Sequence, residues 1–200
     1  MEQLLAFLHS VYPLSKELYD HLFSIIRTKN LAKREMLLKA GHVCRNIHYI
    51  ESGLLRCYYN KADTEVCSWF MKENDLIVSI ESFYRQTTSY ESIQALEDCT
   101  LHYIEYTELY NIFRNYAEFN YVARELTQHY YILWAQQLYG LRMQTPVERL
   151  DWLYDHSPEL LLRVPAKHLA SYLGIGEVTL SRIKKKKFHR SFLDPVPNSK

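Results

Sequence analysis

The tightest constraint on this chain lies in residues 164–187, VPAKHLASYLGIGEVTLSRIKKKK. Two helices can cross steeply only where a small residue lets them approach and the turn between them admits a positive φ. Ala170 supplies the first and Gly174 the second. Leu169, Leu173, Ile175, Leu180 and Ile183 then recur so that both helices turn apolar sides to one core. Glu177, Val178, Ser181, Arg182 and Lys185 are left on the outer side. The pattern predicts a helix–turn–helix, its second helix N-capped by Gly176, with an outer face that a DNA major groove would meet. An ordinary helical hairpin with a solvated basic end has the same spacing, so the rest of the chain has to decide between them.

Charge is the first piece of context. The 200 residues carry 24 basic and 23 acidic side chains, a net +1 that conceals an asymmetry. Residues 145–200 hold ten basic and six acidic groups, net +4, which leaves fourteen and seventeen, net −3, for residues 1–144. The basic surface is concentrated from Arg182 to Arg190, where phosphate contact would need it. Cys44, Cys57, Cys67 and Cys99 form no CxxC pair, and the N-terminus lacks the charged and apolar regions of a signal peptide. Free thiols and a cytoplasmic location are expected. No apolar run approaches the ~20 residues that span a bilayer, so no membrane partner is expected.

Periodicity then divides the chain. Residues 1–29 have helical spacing broken by Pro13 and restarted by Ser15, which fits two short helices. From Leu31 to Tyr106 short β-branched and aromatic runs such as HYIESGLLRCYY and VCSWFM alternate with turns at Gly41, Gly53, Asn60–Asp63 and Glu73–Asp75. Antiparallel strands closing into a small roll are expected, with Glu73 and Asp75 simply solvated in their turn. Thr107 opens a further helix, and Ala117–Met143 reads as one long helix with two apolar stripes. Phe119, Val122, Leu126 and Leu133 form one; Tyr131, Trp134, Leu138 and Leu141 form the other. The second stripe serves either a partner subunit or the interior of the same subunit.

At Thr145-Pro146-Val147-Glu148 a capping hydroxyl, a Pro at the first helical position and a Glu three residues on begin a new helix over Pro146–Tyr154. Leu160–Val164 is expected to be a short strand or wing before the helix pair. The tail SFLDPVPNSK, with two prolines and little apolar content, is expected to be disordered.

Taken together, the segments VPAKHLASYLGIGEVTLSRIKKK and LLKAGHVCRNIHYIESGLLRCYY resemble the Crp/Fnr superfamily of transcription regulators over nearly the whole chain. The resemblance implies an α+β architecture: N-terminal helices with an antiparallel β-roll of jelly-roll type, a long dimerisation helix, and a C-terminal winged helix-turn-helix. It divides the chain into a cyclic-nucleotide-binding-like sensor over 1–116, a connecting helix over 117–144, a DNA-binding domain over 145–192 and the tail 193–200. The implied partners are double-stranded DNA, a second copy of the chain and, for such a regulator, RNA polymerase.

The resemblance also implies where ligand would bind, and there this chain departs. Cyclic-nucleotide binders carry a Gly-Glu pair that holds the ribose and an Arg-hydroxyl pair that holds the phosphate. Val78 and Ser79 stand at the first pair, Ser89 and Tyr90 at the second. A buried phosphate without a charge-assisted partner binds far more weakly, so control by cyclic AMP is not expected unless Arg85 swings in. Iron–sulfur members cluster cysteines near the N-terminus, whereas the first cysteine here is Cys44. No cofactor is expected, only an unidentified small-molecule effector or none.

On the expected reading helix, Arg182 can take both acceptors of a guanine, Glu177 can accept from cytosine, Ser181 suits either, and Val178 meets a thymine methyl. Thr179, Lys184, Lys185, Lys186, Lys187, His189 and Arg190, with Lys167 on the preceding helix, are the expected phosphate contacts. His42, Cys44 and His48 are the one close set of soft ligands, and with no fourth ligand near they read as strand side chains rather than a metal site. No GxSxG, HExxH or Gly-rich phosphate loop occurs, so no catalytic residue is assigned. The alternative is a sensor whose C-terminal unit binds protein instead of DNA.

Overall fold

The computed structural model describes residues 1–62 and 64–193, with side chains as far as Lys185. Two helices lead, α1 (Glu2–Val11) and α2 (Lys16–Ile25), the latter capped by Ser15, whose hydroxyl accepts from the Leu18 amide at 3.2 Å. Leu4, Leu5 and Leu8 of α1 and Leu18 and Leu22 of α2 are buried, so each helix spends one face on the roll core. The strand region starts at β1 (Arg27–Leu31), earlier than the β-branched texture begins. Pairing with a neighbour, not local composition, recruits Arg27 to Asn30.

The roll is two antiparallel four-stranded sheets. One runs β1–β8–β3–β6, with β3 (Asn46–Ser52), β6 (Leu76–Ile77) and β8 (Cys99–Glu105); the other runs β2–β7–β4–β5, with β2 (Met36–Leu38), β4 (Leu55–Lys61), β5 (Thr64–Met71) and β7 (Glu91–Ala95). Ile50, Leu55, Ile77, Ile93, Ala95 and Leu101 fill the space between them. A short helix, α3 (Ile80–Arg85), interrupts the strands and buries Phe83.

Gly53 turns β3 into β4 at φ +101, where an added Cβ would stand 2.6 Å from the Asp98 carbonyl oxygen and 2.9 Å from Cys99 Cα. The expected solvation of Glu73 and Asp75 is overturned. Glu73 accepts from the Gly53 amide at 2.8 Å, and Asp75 from the Lys72 amide at 2.9 Å. Asn74, at φ +70, accepts from the Tyr49 hydroxyl at 2.7 Å and from Gln3 at 3.2 Å. The turn is a polar knot tying α1, β3 and the Gly53 turn together, because side chains facing inward can satisfy backbone donors that water cannot reach.

Helix α4 (Tyr106–Asn115) starts one residue before the expected Thr107, since Glu105 caps it and Glu108 completes a capping box. Helix α5 (Ala117–Met143) has the expected bounds. Its first stripe buries Phe119 and Val122, with Leu126 packed against the core. Its second stripe stays exposed in the single chain, with Tyr131 68%, Trp134 55%, Leu138 39% and Leu141 46% accessible. The Tyr130 hydroxyl accepts from the Leu76 amide at 2.7 Å and fastens α5 to the edge strand β6.

The chain forms two compact units, Met1–Ala135 and Gln136–Lys200. The second contains α6 (Pro146–His156), α7 (Leu160–Arg163), α8 (Ala166–Tyr172) and α9 (Glu177–Leu193). The expected strand or wing at Leu160–Val164 is a helical turn: Leu160 and Val164 are 7% and 6% accessible while Leu162 is 90% accessible. Burial four residues apart with exposure between them is helical geometry; a strand would put all three on one face. Among the described residues no strand follows β8. Residues 194–200 of the expected disordered tail lie outside the described residues.

Candidate nucleic-acid interface and sensor pocket

The C-terminal unit is built by local caps. Thr145 accepts from the Glu148 amide at 3.3 Å, and Glu148 accepts in return from the Thr145 amide at 2.7 Å, which holds its carboxyl below the usual range. Helix α8 ends in a Schellman arrangement: the Ile175 amide donates to the Ala170 carbonyl and the Gly174 amide to the Ser171 carbonyl, both at 3.0 Å, with Gly174 at φ +67. Gly176 then offers its carbonyl to the Leu180 amide at 3.0 Å, the first bond of α9. Leu169, Ala170, Leu173 and Leu180 are all at most 2% accessible, and they are the contact that fixes the two helices.

Arg149 completes this frame, and sequence reasoning missed it. From α6 its Nε donates to the Leu173 carbonyl at 2.9 Å and its Nη1 to the Gln144 carbonyl at 2.6 Å. One guanidinium therefore ties the start of α6 to the end of α8. The only sequence signal was its position in the turn after the capping box.

The expected reading residues fall together. Glu177, Val178, Thr179, Ser181, Arg182 and Lys185 are exposed, Val178 at 71%, and Lys184 is half-buried. Glu177, Val178, Ser181, Arg182 and Lys185 line one shallow open depression with Ala166 from α8. Lys167 is exposed on α8. The side chains of Lys186, Lys187, His189 and Arg190 lie outside the described residues.

In the roll, the residues expected at the ligand positions separate into two groups. Ser79 and Ser89, each 3% accessible, meet with their hydroxyls 2.9 Å apart, and Val78 packs beside the core. Arg85 does not swing in. Its side chain is 74% exposed and lies 3.8 Å from Glu81 one helical turn back, since α3 carries it on the side opposite Phe83. Tyr90 is 63% exposed and stacks on Tyr59 at 5.6 Å between ring centroids.

The group that sequence reasoning missed is Glu91. It stands across from Tyr59 in the β4–β7 register, and Ser89 Oγ accepts from its amide at 3.1 Å and donates to its carbonyl at 2.8 Å. Burial raises the Glu91 carboxyl above the usual range, and hydrogen bonds from the Ser79 and Tyr59 side chains oppose that rise. The alternation of β7 was its signal, because Glu91 and Ile93 share a face.

His42 is exposed while Cys44 and His48 are buried, and among the described residues no three His, Cys, Asp or Glu side chains gather as a metal site. The four cysteines are free and buried; burial raises the Cys44 and Cys99 thiols and pushes Cys57 well above the usual range. Among the described residues no helix is long and apolar enough to cross a membrane.

Residues 28–116 match the family of the cyclic nucleotide-binding domain. Among solved structures, FixK2 from Bradyrhizobium japonicum superposes with a TM-score of 0.70 at 16% identity, covering 88% of this chain and 90% of that one. A CooA mutant from Carboxydothermus hydrogenoformans gives 0.69 at 19% identity, covering 90% and 83%. A transcriptional regulator assigned to the Crp/Fnr family from Eubacterium rectale gives 0.68 at 15%, covering 88% and 87%. No curated protein matches the chain in sequence. Residues 28–116 thus match the cyclic nucleotide-binding domain, and the chain as a whole has the fold that these solved structures share.

Proposed function

We propose that the protein is a sequence-specific, dimeric DNA-binding transcription regulator whose roll is not controlled by cyclic AMP. The carrying observation is the outer face of α9: Leu180 is 1% accessible and anchors the helix, while Glu177, Val178, Ser181, Arg182 and Lys185 stand free around one depression. On this reading Arg182 is the main base reader. Lys184 and Lys185, with Thr179 and Lys167, grip phosphates, and the lysines, His189 and Arg190 beyond them extend that grip. The exposed Tyr131, Trp134, Leu138 and Leu141 stripe supports pairing of two α5 helices, and two-fold pairing would present two reading helices to a palindrome. A cytoplasmic location and RNA polymerase as a further partner follow from the same reading.

Control by cyclic AMP is disfavoured by electrostatics. Neither hydroxyl of the Ser79–Ser89 pair carries charge, Arg85 faces away, and Glu91 adds a carboxylate. A phosphate seated ~5 Å from that carboxylate would lose on the order of 3 kcal/mol at an effective dielectric of ~20.

Selection from a random DNA pool at near-physiological salt, without added nucleotide, tests the function. A palindrome with half-sites about 10 base pairs apart is expected, and no enrichment with or without effectors would refute it. Arg182→Ala should relax base preference by about 1–3 kcal/mol, whereas Lys185→Ala should weaken all DNA alike and flatten the salt dependence. Equal losses on selected and scrambled DNA for both variants would contradict the assigned roles.

A further inference from the structure

The roll carries a carboxylate whose surroundings define a ligand class. Glu91 is half-buried on β7 across from Tyr59 of β4, and burial raises its carboxyl while the Ser79 and Tyr59 hydroxyls oppose that rise. Cys44, Cys57, Tyr59 and Tyr90 all feel its charge. Among the described residues no Lys or Arg pairs with Glu91. A partly buried carboxylate is ordinarily matched by a cation. Beside it the Tyr59 and Tyr90 rings stack at 27°, and Tyr90 is 63% exposed. A carboxylate flanked by aromatic faces and hydroxyls is the chemistry that holds an ammonium group, through charge and cation–π attraction together.

We propose that the roll takes a small organic cation, an amine or quaternary ammonium, seated against the Glu91 carboxylate and the Tyr59–Tyr90 pair. The Ser79–Ser89 hydroxyl pair fixes the backbone of Glu91 and positions its side chain, through the Ser89 bonds to the Glu91 amide and carbonyl. The carboxylate that repels a phosphate is, on this assignment, the element that recognises the effector. The proposal rests on reading the roll as a sensor and does not depend on the DNA assignment.

Calorimetric titration of the full chain with choline, whose charge is independent of pH, tests it, with uncharged dimethylbutanol as the isosteric control and cyclic AMP as the anionic one. Choline is expected to bind saturably and the two controls not to bind. Glu91→Gln should weaken choline at least about tenfold, as loss of a charge-assisted contact does. Tyr90→Ala, at an exposed position that the core does not need, should weaken it about two- to fivefold. Thermal unfolding of each variant verifies folding, and if Glu91→Gln unfolds, Tyr90→Ala carries the test alone. Absence of choline binding to the wild type, equal binding of dimethylbutanol, or unchanged affinity in folded variants would overturn the proposal. Choline binding together with failed DNA selection would leave the cation site standing and refute the DNA reading.

Discussion

Replacing Arg149 by Met keeps the aliphatic stem and removes both donors that hold the Leu173 and Gln144 carbonyls. Each is a hydrogen bond from a charged donor, worth about 1.5–3 kcal/mol when dry. Arg149 is half-buried, so water replaces part of each bond, and about 1 kcal/mol apiece is the appropriate scale. The sum, about 2 kcal/mol, corresponds to a roughly 30-fold rise in local opening of the turn after α8. Amide hydrogen exchange reads that opening at Gly174 and Ile175, whose amides close the Schellman bonds. Exchange at both should quicken about 30-fold, while amides of β3 and β8 in the other unit should not change. Arg149→Lys, which can reach one carbonyl but not both, should fall between. If Arg149→Met leaves exchange at Ile175 within about threefold of the wild type, the guanidinium is not what holds the helices' crossing, and packing of Leu169, Leu173 and Leu180 alone suffices.

Gly53→Ala should destabilise the roll by about 3–5 kcal/mol, since a positive φ is joined by a clash with the backbone of Asp98 and Cys99; Gly41→Ala, at φ +87 with open space, should cost only about 1–2 kcal/mol. Urea midpoints compare the two, and equal losses would refute the clash. His48 is 5% accessible, its Nε2 has no hydrogen-bond partner among the described residues, and burial first, then Lys29, push its pKa down to about 3. The unfolded chain therefore binds a proton that the native state refuses, so stability present above pH ~6.5 should fall by about 1 kcal/mol per unit as the medium is acidified toward that folded value. His48→Phe should lose that part of the slope, and an unaltered pH profile would count against it. Trp134→Glu combined with Leu138→Glu should convert the proposed dimer to monomer in sedimentation equilibrium; a wild type that is monomeric throughout would remove the dimer reading.

What the sequence determined by itself was whatever neighbours along the chain decide. The bounds of α5, the Thr145–Glu148 capping box and the Gly174 turn with its Gly176 start to α9 were legible because capping, propensity and positive φ act over four or five residues. The helices on either side of the roll, α1, α2, α4, α5 and α6, were legible for the same reason, whereas α3 within the strand region was not. Only the tertiary structure decided what depends on partners far away. Leu160–Val164 has the composition of a strand, yet α7 forms there, with Leu160 and Val164 turned to the interior and Leu162 to water. Arg85 and Glu91 are both charged residues near the ligand positions, and only the turn of α3 and the register of β7 against β4 send one outward and the other in. Arg149 had only its position after the capping box as a signal, because one of the two carbonyls it holds belongs to a residue 24 positions away. Local rules choose the elements; which polar group faces an interior is chosen by packing, since a buried charge is tolerated only where distant hydroxyls or carbonyls converge on it.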